Sequence, residues 1–209
     1  IFTFFSSFGQ SFFLGIFNSS IRNELSITHG QFGSIYASAT LLSSFLLIWV
    51  GKKIDDIDIS KFAFFVILLL SFSCFVFSKI SSLSFLFFSI FLMRFSGQGM
   101  MSHTATTTIS RYFTKSRGKA LSTGWFGLSS AEFMLPVLMI YLLTITEWRN
   151  IWLYISLIVI IFLPIASYTL VKNLNFESRE DSTEDKFKQK NIKNWKRSEV
   201  IKDFRFYIL

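Results

Sequence analysis

The sequence predicts an all-α membrane protein of six transmembrane helices, and three observations predict it. The chain of 209 residues is 51% hydrophobic and 19% aromatic, with 28 Phe and only 16% charged residues. A soluble domain of that size carries more charge and shorter apolar runs. Its apolar residues gather into six runs, each near the roughly 20 residues that a bilayer-crossing helix needs. Its basic residues gather beside alternate runs. The runs are too long for strands, and the roughly 10-residue alternation of an outer-membrane barrel is absent.

The first run, Ile1–Ser20, is charge-free. It is too long for a signal-peptide core and lacks a small-residue cleavage site, so it reads as a span whose upstream flank is missing. The second and third runs, Phe32–Val50 and Phe62–Ser78, are also uncharged. The fourth, Leu83–Ser110, holds one formal charge, Arg94, and the fifth, Ala120–Thr146, holds one, Glu132. The sixth, Ile151–Val171, is uncharged. Residues 1–172 therefore form one six-helix bundle. Glu177–Asp203 mixes both signs and is poor in aliphatics, so residues 173–203 read as a solvated cytoplasmic linker. Part of it could lie on the membrane surface with Trp195 at the interface. Residues 204–209, Phe-Arg-Phe-Tyr-Ile-Leu, read as the opening of a seventh helix that is cut short.

Lys/Arg asymmetry sets the orientation. The connections after the second and fourth runs and the tail after the sixth carry 17 basic residues; the opposite side carries 3, Arg22, Lys79 and Arg149. The N-terminus and the even-numbered connections are accordingly cytoplasmic. The net charge of +8 is mostly topological, which argues against a nucleic-acid partner. The single cysteine, Cys74, excludes an internal disulfide and a Cys-based metal cluster. The Phe, Ile, Lys and Asn bias is of the kind an AT-rich bacterial genome gives, which points to a bacterial inner membrane. No nucleotide-binding glycine loop, metal cluster or catalytic triad is visible, so no cofactor is implied and an intramembrane enzyme is disfavoured.

Ionisable groups at membrane depth are costly, face the bundle interior and tend to be functional, which singles out Arg94 and Glu132. Counted from the cytoplasmic ends near Arg111 and Gly118, they lie about 17 and 14 residues in. At 1.5 Å per residue that is roughly 25 and 21 Å, so an Arg94–Glu132 contact is feasible if the helix faces meet. Such a pair could be purely structural, or it could position a substrate anion or a proton. Arginine keeps its charge, whereas the glutamate could protonate if Arg94 turned toward substrate. Gln98 is four residues past Arg94 and shares its face. Gln10 is a polar position within the first span, either lining a cavity or bonding between helices. His103, nine residues past Arg94 and on roughly the opposite face, is either a pathway residue or a packing histidine at the cytoplasmic end. Asn18 reads as a helix-end residue, and His29 as a loop residue.

Two signatures carry a resemblance. The second connection reads Gly51-Lys-Lys-Ile-Asp55-Asp-Ile-Asp58-Ile-Ser-Lys61. A glycine four residues before an aspartate, between the second and third spans, resembles the signature loop of the major facilitator superfamily. Gly51 and Asp55 match; Asp56 stands where a basic residue is expected, Asp58 where a second glycine is. The fourth run reads Arg94-Phe-Ser-Gly97-Gln98-Gly99, which resembles the family's Arg and Gln/Gly signature with the last two in swapped order. Arg117-Gly118-Lys119-Ala120 and Glu147-Trp148-Arg149 are also typical of these permeases. The antiporter signature of the fifth helix is absent in its usual form.

The resemblance implies the N-terminal half of a twelve-helix carrier, built from inverted three-helix repeats, with the C-terminal half of the same chain missing. It further implies secondary active transport of a small organic solute, anionic or zwitterionic, by alternating access across the bilayer, with a proton or ion gradient as the drive. Gly51 and Asp55 would then belong to a loop that switches with conformation. Arg94, Glu132, Gln98, Gln10 and His103 would be the candidates for the substrate or proton pathway. The alternative is a non-transporting sensor or scaffold module with the same fold.

Overall fold

The computed structural model describes residues 1–113 and 115–172, with side chains through residue 168. The expected linker and the start of a seventh helix lie outside the described residues. Everything described is helix or short connection, and Ile1–Tyr168 forms one compact unit. Among the described residues five helices are long and apolar enough to cross a membrane, running His29–Asp55, Ile59–Ser78, Leu83–Tyr112, Arg117–Leu143 and Trp148–Tyr168.

The first expected span is built in pieces instead. Helix α1 (Phe2–Phe5) runs into a 3₁₀ turn at Ser6–Gly9, Gln10 is extended at φ −80° and ψ 155°, and α2 (Ser11–Ile16) and α3 (Asn18–Leu25) follow. A tertiary contact accounts for the break. A Cβ on Gly97 would stand 2.7 Å from both Cα and N of Gly9, so the first and fourth spans touch backbone to backbone. Only glycine permits that approach.

Four of the remaining five spans begin earlier than hydropathy suggests, and the fourth begins at Leu83 as expected. Helix α4 (His29–Val50) starts three residues before Phe32, and α5 (Ile59–Ser78) three before Phe62. The same offset holds for α8 (Arg117–Leu143) and α9 (Trp148–Lys172). First helical turns are polar because their N–H groups need partners from outside the helix. Thr28 and Gln31 form a reciprocal capping box on α4. The Asp58 carboxylate accepts from the Ser60 and Lys61 amides at 2.9 and 3.2 Å on α5. The fourth span comprises α6 (Leu83–Met93), a π-helical stretch Arg94–Met101, and α7 (Ser102–Tyr112).

Aromatic packing and hydroxyl pairs hold the bundle together. Trp152 of α9 is fully buried, with ring centroids of Phe13, Phe17 and Phe77 at 5.4, 5.1 and 4.5 Å, which joins the first, third and sixth spans. Ser71 and Ser156 exchange hydrogen bonds between α5 and α9, each hydroxyl donating to the other's carbonyl. Ser96 donates to Ser73 at 2.9 Å between the fourth and third spans. Hydroxyl bonds of this kind contribute about 0.6 kcal/mol each in membrane bundles, so packing of small residues matters as much. At the end predicted to be external, Arg149 donates to the carbonyls of Ser78 and Ile80 and to the Glu24 carboxylate, which Trp148 also engages. The Arg149 guanidinium stacks on Trp148 at 4.4 Å. These bonds fasten the outer ends of three spans. Held by Arg149 first and by Trp148, the Glu24 carboxyl lies below its ordinary range.

Candidate functional site

Breaking a helix at membrane depth frees backbone carbonyls that lipid cannot satisfy. In the first span the Gly9 carbonyl accepts from Arg94 Nη1 at 3.0 Å. Arg94 Nη1 also donates to Ser11 Oγ at 3.2 Å, and Tyr36 of α4 donates its phenolic hydrogen to the same oxygen at 2.8 Å. The guanidinium lies over the Tyr36 ring, 5.3 Å from its centroid. Arg94 is only 6% exposed, and its Nε is buried without a hydrogen-bond partner. One buried cation is thus oriented by the break in the first span, by a hydroxyl, and by an aromatic face of the second.

The π-helical stretch begins at Arg94 itself. Such widened turns concentrate at functional sites in proteins generally. Gln10 follows Gly9 and Gln98 follows Gly97, so each glutamine is one residue from the glycine–glycine contact. Both are half-buried, and neither side chain makes a hydrogen bond. A Cβ on Gly9 would meet the Gln98 amide nitrogen at 2.5 Å, which sets the Arg94–Gly99 signature directly against the break in the first span.

The condition for an Arg94–Glu132 contact, that the two helix faces meet, is not fulfilled. The guanidinium faces the first and second spans, whereas Glu132 is exposed on α8 beside buried Ala131. The inward stripe of α8 runs through Ala131, Leu135 and Met139, and Glu132 falls off it. A backbone carbonyl takes the place expected for a carboxylate. Among the described residues no carboxylate pairs with Arg94.

His103 also lies apart from Arg94's partners. Its Nε2 donates to the Gly51 carbonyl at 2.9 Å. Gly51–Asp55 forms a 3₁₀ turn, and Arg111 at the end of α7 donates to the Asp55 carboxylate at 2.5 Å and to the Ile54 carbonyl at 3.3 Å. The loop of the sequence signature is therefore gripped from the fourth span by two residues, His103 and Arg111. Gly9, Ser11 and Tyr36 were missed in the sequence. The first two sit in a charge-free run, and a lone tyrosine in an apolar span looks like a lipid-facing aromatic.

The sequence pattern of the Major Facilitator Superfamily matches residues 1–208. No curated protein and no solved structure matches the chain.

Proposed function

Because this chain belongs to the major facilitator superfamily, a family of membrane transporters, we propose that it carries a small organic anion or zwitterion by alternating access. One observation carries the reading of the site: a buried guanidinium held at a helix break, with part of its donor set unused. In secondary transporters generally, broken helices line the solute site near the bilayer midplane. A second six-helix half completes the cavity and supplies the opposing body, and the bundle's N-terminus faces the cytoplasm of a bacterial inner membrane. Gly51 and Asp55 form the cytoplasmic switch loop, with His103 as part of its clasp. Gln10 and Gln98 contribute polar contacts beside Arg94. Glu132, unpaired among the described residues, is the acidic member of the candidate pathway.

Uptake by the protein in vesicles, with a metabolite panel and an imposed pH gradient, tests this. Arg94→Gln and Arg94→Lys should both weaken saturable uptake, Gln more, with protein still reaching the membrane. Glu132→Gln should abolish pH-driven uptake and leave solute exchange intact. Wild-type kinetics in all three variants would overturn the assignment of the site.

A further inference from the structure

The hydrogen bonds around Arg94 define more than a positive charge. A guanidinium has five N–H donors, one on Nε and two on each Nη. Both Nη1 protons are taken by the protein, through the Gly9 carbonyl at 3.0 Å and Ser11 Oγ at 3.2 Å. Nε is buried and unpartnered, and among the described residues both hydrogen bonds of the guanidinium fall on Nη1, none on Nη2. The edge left over is therefore Nε–Nη2, two parallel donors on one side of the plane. That edge matches the two oxygens of a carboxylate in a bidentate contact. Ser11 Oγ already accepts from Tyr36 and from Arg94, which uses both its lone pairs, so its own proton can only be donated outward. Ser11 is exposed, and it stands beside the guanidinium. The free capacity of the site is all donor.

Charge narrows the class further. Arg94 is the only fixed charge in the apolar run Leu83–Ser110, and no carboxylate pairs with it among the described residues. A dianion such as phosphate or a dicarboxylate would bring a second negative charge that no second cation among Arg94's described contacts meets. The ammonium of a zwitterion would find no anion among Arg94's contacts with the described residues. Resting on the reading of this bundle as half of a solute carrier, we propose that the Nε–Nη2 edge of Arg94 is the receptor for the single carboxylate of a monoanionic solute, with Ser11 and Tyr36 as its positioning residues. Nε is closed to water in this conformation.

The test uses the protein reconstituted in vesicles and, in parallel, thermal unfolding in detergent. The probes are polar monocarboxylates, pyruvate and gluconate among them, their neutral amides, succinate and phosphate. Monocarboxylates should be taken up and should raise the unfolding temperature; the amides, succinate and phosphate should do neither. Arg94→Lys should raise KM roughly 10- to 100-fold. Ser11→Ala and Tyr36→Phe should each raise KM about 2- to 10-fold with Vmax retained, and Tyr36→Leu, which also loses the ring, should do more than Tyr36→Phe. Uptake confined to neutral solutes or dianions, or monocarboxylate uptake indifferent to Arg94→Lys, overturns the carboxylate edge and leaves the carrier standing. Stabilisation by monocarboxylates that Arg94→Gln abolishes, without uptake, supports the edge and overturns the carrier. Neither uptake nor stabilisation by any monocarboxylate overturns both.

Discussion

Replacing Gly97 with alanine tests the central contact of the fold. The new methyl would sit 2.7 Å from Gly9 Cα and N, and both are backbone atoms that no rotamer change can move. Ordinary carbon contacts need about 3.5 Å or more, so the two spans must part by roughly 0.8 Å. Arg94 Nη1 reaches the Gly9 carbonyl at 3.0 Å, and the same displacement carries that bond past hydrogen-bonding distance. Overpacking of this kind costs about 1–3 kcal/mol. Loss of a charged hydrogen bond to a buried carbonyl adds a comparable amount. Side-chain adjustment of Arg94 recovers part of it, so a net loss of about 2–4 kcal/mol is expected. By the usual scaling that lowers the unfolding temperature by roughly 5–15 °C. Thermal unfolding of the purified protein in detergent measures it. Gly15→Ala is the control, because a Cβ there meets nothing within 4 Å and alanine favours the helix. Unchanged unfolding in Gly97→Ala, or equal losses in both variants, would refute the claim that this contact sets the break.

Three further outcomes follow from other contacts. Glu24 is held in its charged form by Arg149 and Trp148, so its folded pKa lies below the unfolded value near 4.5. Its stabilisation is full above that pH and is lost as pH falls through the folded pKa; the gap in unfolding temperature between wild type and Glu24→Gln should hold from pH 7 to 5 and close below about 4.5, and a gap that persists at pH 3 would contradict this. The Asp55–Arg111 pair is largely exposed, so Asp55→Asn should cost under about 1 kcal/mol of stability yet speed tryptic cleavage at Lys52 and Lys53 in inside-out vesicles; an unchanged cleavage rate would show that the pair does not hold the loop. Because Arg94 and Glu132 do not touch, the effects of Arg94→Gln and Glu132→Gln on unfolding should add within about 0.5 kcal/mol, and a larger coupling would restore the ion pair.

Membrane class, family and the run of spans were legible in the sequence because a bilayer leaves few solutions, and each demands a long apolar run. Their starts were not, since the first turns of α4, α5, α8 and α9 carry the polar residues that hydropathy discounts. Gly51 and Asp55 were legible as a signature, but their partners were not: His103 and Arg111 reach them from over fifty residues away. The break in the first span was hidden for the same reason. Nothing between Ile1 and Ser20 marks Gly9 and Gln10 as the place where the helix parts. The cause lies in Gly97, on another span. The condition set on an Arg94–Glu132 contact, that the helix faces meet, is not fulfilled, and the acceptor that Arg94 finds is a main-chain carbonyl. Charge patterns reveal side-chain acceptors and cannot reveal a carbonyl that only tertiary structure sets free.

The break, the glycine contact and the arginine depend on one another. Without the break, the Gly9 carbonyl would be spent on the amide of the next helical turn and Arg94 would have no acceptor. Without the close approach at Gly97, the carbonyl would lie out of the guanidinium's reach. Without Arg94, a freed carbonyl would remain at membrane depth, and the first span would gain by closing into continuous helix.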